Sequence, residues 1–382
     1  MLSGFVLTLN YFGSLRTREQ LWSYAVARVA RVYPLYLVVL AWPTVHLWAS
    51  GNLPKTNLLL HVLGVQAWHP DLMTLVTFVG PAWSISVELF LYATLPLLVV
   101  GVRLLDRRMW TLVGSVVLVV LALAAVTYLF QHTGRADLPR TDSGSAHRWL
   151  YRTPLTRIGD FLLGILAARV YVRLRGTRFG TSLARWLIAV SIVATFVLGS
   201  QPALLFSAWS WDVMYAAPAT ALILGLALAP RHPLSRLLAL QPIVFMGEVS
   251  FAFYLVHVSV IQAVGAGAWT PGVTRHSLAL EAMNLGLALV LAVGLHVGIE
   301  KPARVWVTRA LHRRRRPVPA PRHVSSGTRS HGGRPLSAPH DNRASLEDGP
   351  LTAPPREVRD GLPTRPRRPI DESDGAYPLA RR

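Results

Sequence analysis

Eight apolar segments organise this sequence, and each approaches the roughly 20 residues that an α-helix needs to cross a lipid bilayer. In lipid every backbone polar group must be bonded within the protein, so a chain with this many spans is restricted to a helical bundle. Two further apolar stretches are shorter: Met1–Phe12 predicts a partial first helix, and 56–68 a re-entrant or interfacial segment. We therefore predict an all-α, polytopic transmembrane bundle. Its predicted spans are 28–49, 83–102, 110–130, 157–173, 183–200, 209–229, 243–265 and 278–299.

The charge composition agrees with a membrane protein. Only 15% of the residues are charged, against about 25% in soluble domains. The 39 basic residues outnumber the 19 acidic ones, an excess that would also suit nucleic-acid binding. The arginines, however, lie between the apolar segments and near the C-terminus, as expected where they set membrane orientation. Cysteine is absent, which excludes thiol catalysis and cysteine metal sites. We predict no nucleic-acid partner.

The distribution of basic residues between the spans predicts an orientation. Alternate connections carry thirteen and seven Arg and Lys residues, leaving out the C-terminal tail. Basic residues favour the cytoplasmic side, so the thirteen-residue set and the tail are predicted to be cytoplasmic. The connection 131–157 is the exception, because it carries five arginines on the opposite side.

Two parts of the chain differ in composition. Residues 1–311 form the predicted membrane domain, and residues 312–382 are rich in Pro, Arg, Ser and Gly without apolar periodicity. Such a segment buries too little apolar surface to order, so we predict a disordered cytoplasmic tail. The sequence also begins inside an apolar stretch, and we expect a further helix to precede Met1 in the natural protein.

Ionisable residues inside spans are costly and are therefore candidates for function. Arg28 and Arg31 lie three residues apart at the start of a predicted span and share one helical face. Two guanidiniums at the cytoplasmic end of a helix suit the phosphates of a nucleotide-like ligand, because each can donate two parallel hydrogen bonds. The alternative is that they only set orientation.

Glu88 lies about 10 Å into another predicted span. A carboxylate at that depth must pair with a base, face a wet cavity or be protonated. Ser84, Glu88 and Tyr92 share a helical face. Glu88 is a candidate to orient a histidine, accept a proton or bind a sugar hydroxyl. The alternative is a structural ion pair with an arginine on another helix.

Tyr254 and His257 share a face of a third apolar helix. A lone histidine in such a helix is most often a structural residue, but it also suits a general base.

Several other charged residues are interpreted as structural. Arg157 and Asp160 have the spacing of a local ion pair, and Asp212 begins another span in a similar way. His296 and Glu300 close the last span, where a helix end with a capped carboxylate is the favoured interpretation. The sequence contains no metal-ligand cluster and no Gly-rich phosphate loop, so no metal site is predicted.

Six short motifs, each weak alone, occur in an order that resembles the membrane acyltransferase family 3, bacterial enzymes that acylate exported carbohydrates and related molecules. The motifs are Met1–Val6, Arg28–Pro34, Trp83–Glu88 (WSISVE), Arg157–Gly164, Gly247–His257 and His296–Pro302.

The resemblance implies a bundle of about ten helices in the bacterial plasma membrane. It implies acyl-CoA as a co-substrate, without a bound cofactor, and an acyl group, usually acetyl, that passes to a hydroxyl of a glycan, lipid or natural product. Arg28 and Arg31 would hold the acyl-CoA end. The reaction path would be lined by Trp83, Ser84, Glu88, Tyr254 and His257.

The sequence departs from the family at one point. The catalytic histidine of the family lies on a first helix that would precede Met1. We therefore expect either a start assigned too late or a truncated form, in which Glu88 and His257 are this chain's own catalytic candidates. The competing interpretations are a transporter or flippase-like bundle, which would show internal repeats, and a non-catalytic remnant. The expected partners are membrane lipids, acyl-CoA and a hydroxyl-bearing acceptor.

Overall fold

The computed structural model describes residues 1–211, 213–264 and 278–314, and these residues contain no β-strand. They confirm the prediction of an all-α helical protein. The α-helices are α1 Leu2–Tyr11, α2 Arg18–Ala49, α3 Lys55–Leu63, α4 Leu72–Val76, α5 Trp83–Leu105, α6 Met109–His132, α7 Arg157–Leu174, α8 Arg178–Gly199, α9 Pro202–Leu205, α10 Ala216–Leu228, α11 Pro233–Leu238, α12 Gln241–Val264, α13 Leu278–Leu295 and α14 Lys301–Arg314.

Six helical stretches in the described residues are long and apolar enough to cross a membrane. They are Arg18–Ala49, Gly80–Leu105, Met109–His132, Arg178–Gly199, Gln241–Val264 and Leu280–Val307.

Two of the eight predicted spans fall outside this set. α7 is helical over its predicted length, but it carries four ionised residues, too many for an apolar span of its own. α10 has only 13 residues, because the chain before it runs in short 3₁₀ turns at Ala208–Trp211 and Val213–Tyr215.

α2 begins ten residues before the predicted span. The Thr17 side chain accepts a hydrogen bond from the Gln20 amide, and the Gln20 side chain accepts one from the Thr17 amide. This capping box fixes the helix start. The prediction that Arg28 and Arg31 lie at the end of a helix is therefore wrong. Arg28 lies about 15 Å from the start of α2, at 1.5 Å per residue.

α7 lies against α1 at very short range, and two glycines permit the contact. A Cβ on Gly164 would lie 2.0 Å from the carbonyl oxygen of Met1, and one on Gly4 would lie 2.3 Å from that of Phe161. Both distances are far below van der Waals contact, so neither position accepts a side chain without moving a backbone. The glycines of two sequence motifs thus serve a single helix–helix contact.

The charges on α7 are paired. Arg157 and Asp160 form the predicted local ion pair at 2.8 Å. Further along the helix, Arg169 and Arg173 both contact the carboxylate of Asp106, which lies just after α5, at 2.5 and 3.1 Å. Pairing accounts for charged residues in a helix whose neighbours are largely buried and apolar.

The segment 56–68 forms short helices rather than a span, as predicted. α3 is followed by a 3₁₀ turn at Gln66–Trp68. The Gln66 amide donates to the carbonyl of Ala82 at 2.7 Å, and the Tyr36 hydroxyl donates to the carbonyl of His61 at 2.8 Å. These bonds hold the segment against α2 and the start of α5.

The helix does not end at Glu300, so the prediction of helix termination there is wrong. A π-helical turn, His296–Glu300, joins α13 to α14. Pro302 lies at the second position of α14, where its missing N–H and its ring would disturb a regular helix, and a π-turn provides such an irregularity. Asp212 and the predicted tail from residue 315 onward lie outside the described residues.

Candidate active site

The centre of the site is one face of α5. Ser84, Glu88 and Tyr92 follow one another at four-residue spacing, as predicted, and the Tyr92 hydroxyl donates a hydrogen bond to the Glu88 carboxylate. Within the part of the chain that the structure describes, no arginine is ion-paired with Glu88. The structural alternative for Glu88, an ion pair with another helix, is therefore not what the structure contains.

Arg28 on α2 lies at the Tyr92 end of this face, inside three aromatic rings that we call the Arg28 cage. Its guanidinium carbon is 5.4 Å from the ring centroid of Tyr11, 5.9 Å from that of Tyr24 and 6.0 Å from that of Tyr92. One Nη donates to the Tyr11 hydroxyl at 3.2 Å, whereas the buried Nε has no hydrogen-bond partner. The ring faces hold the cation by cation–π attraction and leave donor capacity unused.

A cavity of about 300 Å³ opens beside the cage, between α2 and α5. A second cavity, of about 570 Å³, follows α2 toward its start at Arg18 and shares Leu21 and Ala25 with the first. Together they form a largely apolar groove, with Arg28 at one end and Arg18 beside Glu19 at the other, open end. Both volumes lie in or near the range of small-molecule sites, about 300–1,000 Å³.

Arg31 does not join the Arg28 cage. It lies one turn further along α2 with an exposed side chain, and it makes no hydrogen bond or ion pair to any residue in the described ranges. Its charge, like that of Arg28, is nevertheless close enough to influence the Tyr92 hydroxyl, so a joint role of the two arginines stays a prediction.

Ser84 and Tyr254 meet at the opposite end of the α5 face. Both hydroxyls donate to the carbonyl oxygen of Pro81, at 3.0 and 3.1 Å. α12 passes close to Gly80, where a Cβ would lie in van der Waals contact with Val258 at 3.4 Å. The predicted substrate-path residues are thus brought together by one shared acceptor.

His257 lies on α12 one turn after Tyr254. Its Nδ1 is 2.7 Å from the carbonyl oxygen of Tyr254, and a carbonyl only accepts, so Nδ1 carries the proton. In the neutral ring, Nε2 then has a free lone pair, as a base requires. The ring stacks on Phe253 at 5.8 Å. No hydrogen bond joins His257 on α12 to Glu88 on α5. The structure therefore does not link the two catalytic candidates directly.

Trp83 leads to a group of residues that sequence reasoning missed. Its ring packs against Tyr151 at 4.9 Å, and the guanidinium carbon of Arg152 lies 5.4 Å from the Trp83 centroid and 6.0 Å from that of Tyr151. Arg152 ends a π-helical turn, His147–Arg152, a rare conformation that is frequent at functional sites. We call Trp83, Tyr151 and Arg152 the Trp83 cluster.

The excess of arginine in the 131–157 connection was the sequence signal for this cluster. Arg148 donates to two backbone carbonyls and a threonine hydroxyl. Arg157 is ion-paired, while Arg135 and Arg140 lie over aromatic rings, each at 5.0 Å. Protein contacts therefore hold these arginines, and the connection need not obey the orientation rule.

His147 borders the Trp83 cluster and is almost fully buried. Its ring lies 5.5 Å from Tyr151 and 4.6 Å from Trp211. Burial, and then the charges of Arg152 and Arg140, lower the pKa of this imidazole from 6.5 to about 4. His147 is consequently neutral at physiological pH and adds no positive charge to the cluster.

A bundle of membrane-length helices with hydroxyl, carboxylate and imidazole groups on facing helices defines an integral membrane protein with an internal polar site. The family model for the acyltransferase domain matches residues 1–299. The chain therefore belongs to the membrane acyltransferase family 3 that the sequence motifs predicted, and it is an acyltransferase for groups other than aminoacyl groups. This assignment favours the enzyme over the transporter interpretation.

Two curated relatives agree with the assignment. Acyltransferase MdmB of Streptomyces mycarofaciens is 31% identical over 339 residues, which cover 84% of this chain and 82% of the relative. Nodulation protein 10 of Rhizobium leguminosarum bv. viciae is 26% identical over 293 residues, covering 70% and 72% of the two chains. No solved structure matches the chain at comparable significance.

Proposed function

We propose that this protein transfers an acyl group, in the first instance acetyl, from acyl-CoA to a hydroxyl of an exported carbohydrate, lipid-linked sugar or related molecule. The reaction would take place in the bacterial plasma membrane, with the acyl-CoA groove and the C-terminal tail on the cytoplasmic side. The observation that carries the proposal is the line of polar groups along α5, which runs from the Arg28 cage through Tyr92 and Glu88 to Ser84.

The groove along α2 suits acyl-CoA. Its two guanidiniums, Arg18 and Arg28, can pair with phosphates, and the apolar surface between them suits the uncharged arm and the acyl chain. The unpaired Nε of Arg28 is a donor that the protein leaves for a ligand. Because Arg31 is exposed nearby, it would contact acyl-CoA from the edge of the groove.

The chemistry requires a base and oxyanion donors. The acceptor hydroxyl attacks the thioester carbonyl as a base takes its proton, and the CoA sulfur leaves with a proton as the ester forms. Glu88 and the Nε2 of His257 are the candidate proton acceptors in this chain. The hydroxyls of Ser84 and Tyr254 donate to the Pro81 carbonyl in this structure, and by turning away from it they would become donors to the developing oxyanion.

Binding of acetyl-CoA to the full chain tests the donor half of the proposal. Replacing Arg28 with Gln removes the guanidinium and its positive charge, and acetyl-CoA affinity should fall about tenfold or more. Arg185→Gln is the matched control, since it makes the same charge change on the same predicted side of the membrane at an exposed position of α8. Equal affinities of the Arg28 and Arg185 variants would remove the basis for the proposed groove.

Turnover can be followed with a thiol reagent. The chain contains no cysteine, so every thiol that appears after acetyl-CoA is added comes from released CoA. Dependence of this release on an acceptor-containing membrane extract would identify a fraction in which to seek the acceptor.

A further inference from the structure

We infer that the Trp83 cluster is a binding site for an oxyanion, a phosphate or carboxylate, carried by the acceptor next to the hydroxyl that is acylated. This inference rests on the proposed function, because it specifies the class of acceptor for the same reaction. Neither the family nor the relatives assign Arg152 a role.

The two arginines of the π-helical turn differ in what the protein gives them. Arg148 uses both terminal nitrogens in hydrogen bonds of 2.7 to 2.9 Å to the Ala67 and His69 carbonyls and to Thr153. Arg152 has two buried nitrogens, Nε and one Nη, without any partner. Buried donors without partners are uncommon and call for an explanation. Arg148 is held through its terminal nitrogens, whereas Arg152 keeps two N–H donors on different sides of its guanidinium unused.

The flat faces around Arg152 fix its orientation. Trp83 and Tyr151 both lie within 6.0 Å of its guanidinium carbon. Cation–π contacts hold a guanidinium plane without using its N–H groups. The aromatic rings rather than an acid therefore orient the unused N–H groups, and among the described residues Arg152 has no ion-pair partner.

The groups that face the cluster are mostly donors or cations. Arg140 lies over Trp211, and the Tyr254 hydroxyl is close enough to influence Arg152. The nearest acid on α5 is Glu88, which already accepts from Tyr92. A neutral sugar needs acceptors as well as donors for its hydroxyls, whereas an oxyanion only accepts. The lining therefore fits an oxyanion better than an uncharged ring.

The position of the cluster connects this oxyanion with the reaction. Trp83 immediately precedes Ser84, whose hydroxyl meets that of Tyr254 at Pro81. An acceptor held by its oxyanion on Arg152, with a sugar ring against Trp83 or Tyr151, would present a neighbouring hydroxyl to the α5 face. Arg152 would thus be a binding residue for the acceptor and not a proton-transfer group.

The test is a comparison of charged and neutral probes on the purified full chain in a neutral detergent. Farnesyl phosphate is compared with farnesol, and glucuronate with glucose, so that the two arms distinguish a phosphate from a carboxylate. We expect one anionic probe to bind at least about tenfold more tightly than its neutral counterpart. Arg152→Gln should abolish this preference, Arg152→Lys should retain part of it, and Arg135→Gln, an equal charge change at an exposed site, should retain it fully.

Two results would overturn the inference: no preference for either anionic probe, or a preference that survives Arg152→Gln. The melting temperature of Arg152→Gln should fall only slightly, since two cation–π contacts but no hydrogen bond are lost, and a large decrease would mean that Arg152 is a structural residue. Acetyl-CoA binding is measured on the same samples. Its absence in all of them would count against the proposed function, whereas acetyl-CoA binding without an oxyanion preference in the unaltered protein would count against this inference alone.

Discussion

The α7 side of the bundle and the α5 face both carry charged residues, but the two regions differ in whether these residues are ion-paired. On the α7 side, Asp106 holds Arg169 and Arg173. Along the α5 face, Glu88 has only a tyrosine partner and Arg28 is surrounded by rings, with one buried nitrogen unpaired. Both regions bury charge, yet only one of them neutralises it.

This difference separates structural charges from candidate functional ones. A buried charge is costly unless it is paired, so selection for stability alone would pair it or remove it. Groups that stay unpaired in a polar cleft are available to ligands. Sequence spacing indicated a structural pair for Arg157 and Asp160, but it left a structural ion pair open for Glu88.

The largest expected effect is on Glu88. Glu88→Gln keeps the size and can still accept from Tyr92, but it removes the proton acceptor. Acyl transfer, measured as CoA release, should fall by about 10²-fold or more, with the melting temperature unchanged. Glu281→Gln, at an exposed site on α13 outside the six motifs, should leave the rate unchanged. An equal loss of acyl transfer in both variants would show that the reaction does not depend specifically on Glu88.

Asp106→Asn should produce the opposite outcome. Two arginines lose their counter-charge, and breaking a buried ion pair in this way costs about 3 kcal/mol. Thermal unfolding in detergent should show the loss, while the folded fraction keeps its specific activity. Asp137→Asn, in the exposed 131–157 connection, should change stability by no more than about 0.5 kcal/mol. An Asp106 variant that is stable but inactive would mean that Asp106 serves the reaction rather than the fold.

The two arginines of the π-helical turn sharpen the same contrast. Arg148→Gln leaves two buried carbonyls and a threonine hydroxyl without their donor, at a cost of about 2–3 kcal/mol. Arg152→Gln breaks no hydrogen bond but loses two cation–π contacts, so its free energy of unfolding should fall by only about 1 kcal/mol. Similar losses in the two variants would mean that unpaired donors do not mark ligand sites here.

The smallest effect concerns His147 and pH. The pKa of its ring is about 4 in the folded protein and 6.5 ordinarily, so the unfolded chain binds the proton first as pH falls. The stabilisation from the neutral ring is complete above pH 6.5 and is lost progressively toward pH 4, by about 2 kcal/mol between pH 7 and pH 5. Melting curves of the original protein and His147→Gln should therefore differ in pH dependence. Parallel curves would show that His147 is not held neutral.

Local patterns predicted much of the fold and part of the site. The apolar segments predicted the helices, and four-residue spacing placed Ser84, Glu88 and Tyr92 on one face. The spacing of Arg157 and Asp160 predicted their ion pair. The misplaced start of α2 was avoidable, because Thr17 and Gln20 have the spacing of a capping box.

Tertiary contacts explain what the sequence did not predict. Arg152 meets Trp83 from a distant part of the chain through a π-helical turn, and no local periodicity reports such a meeting. The environment of Arg28 depends on Tyr11, Tyr24 and Tyr92, which come from three helices. Its neighbour Arg31 has the same residue type and face, so only the packing distinguishes them.

The most direct measurement uses inside-out membrane vesicles that contain the full chain and receive labelled acetyl-CoA on their outer, formerly cytoplasmic surface. The account predicts that label enters a vesicle-bound product and that one CoA thiol is released for each label transferred. Both should be lost in Arg28→Gln and Glu88→Gln and kept in Arg185→Gln and Glu281→Gln. Label transfer that is indifferent to Arg28 and Glu88 would contradict the account, because the α5 face would then not carry the reaction.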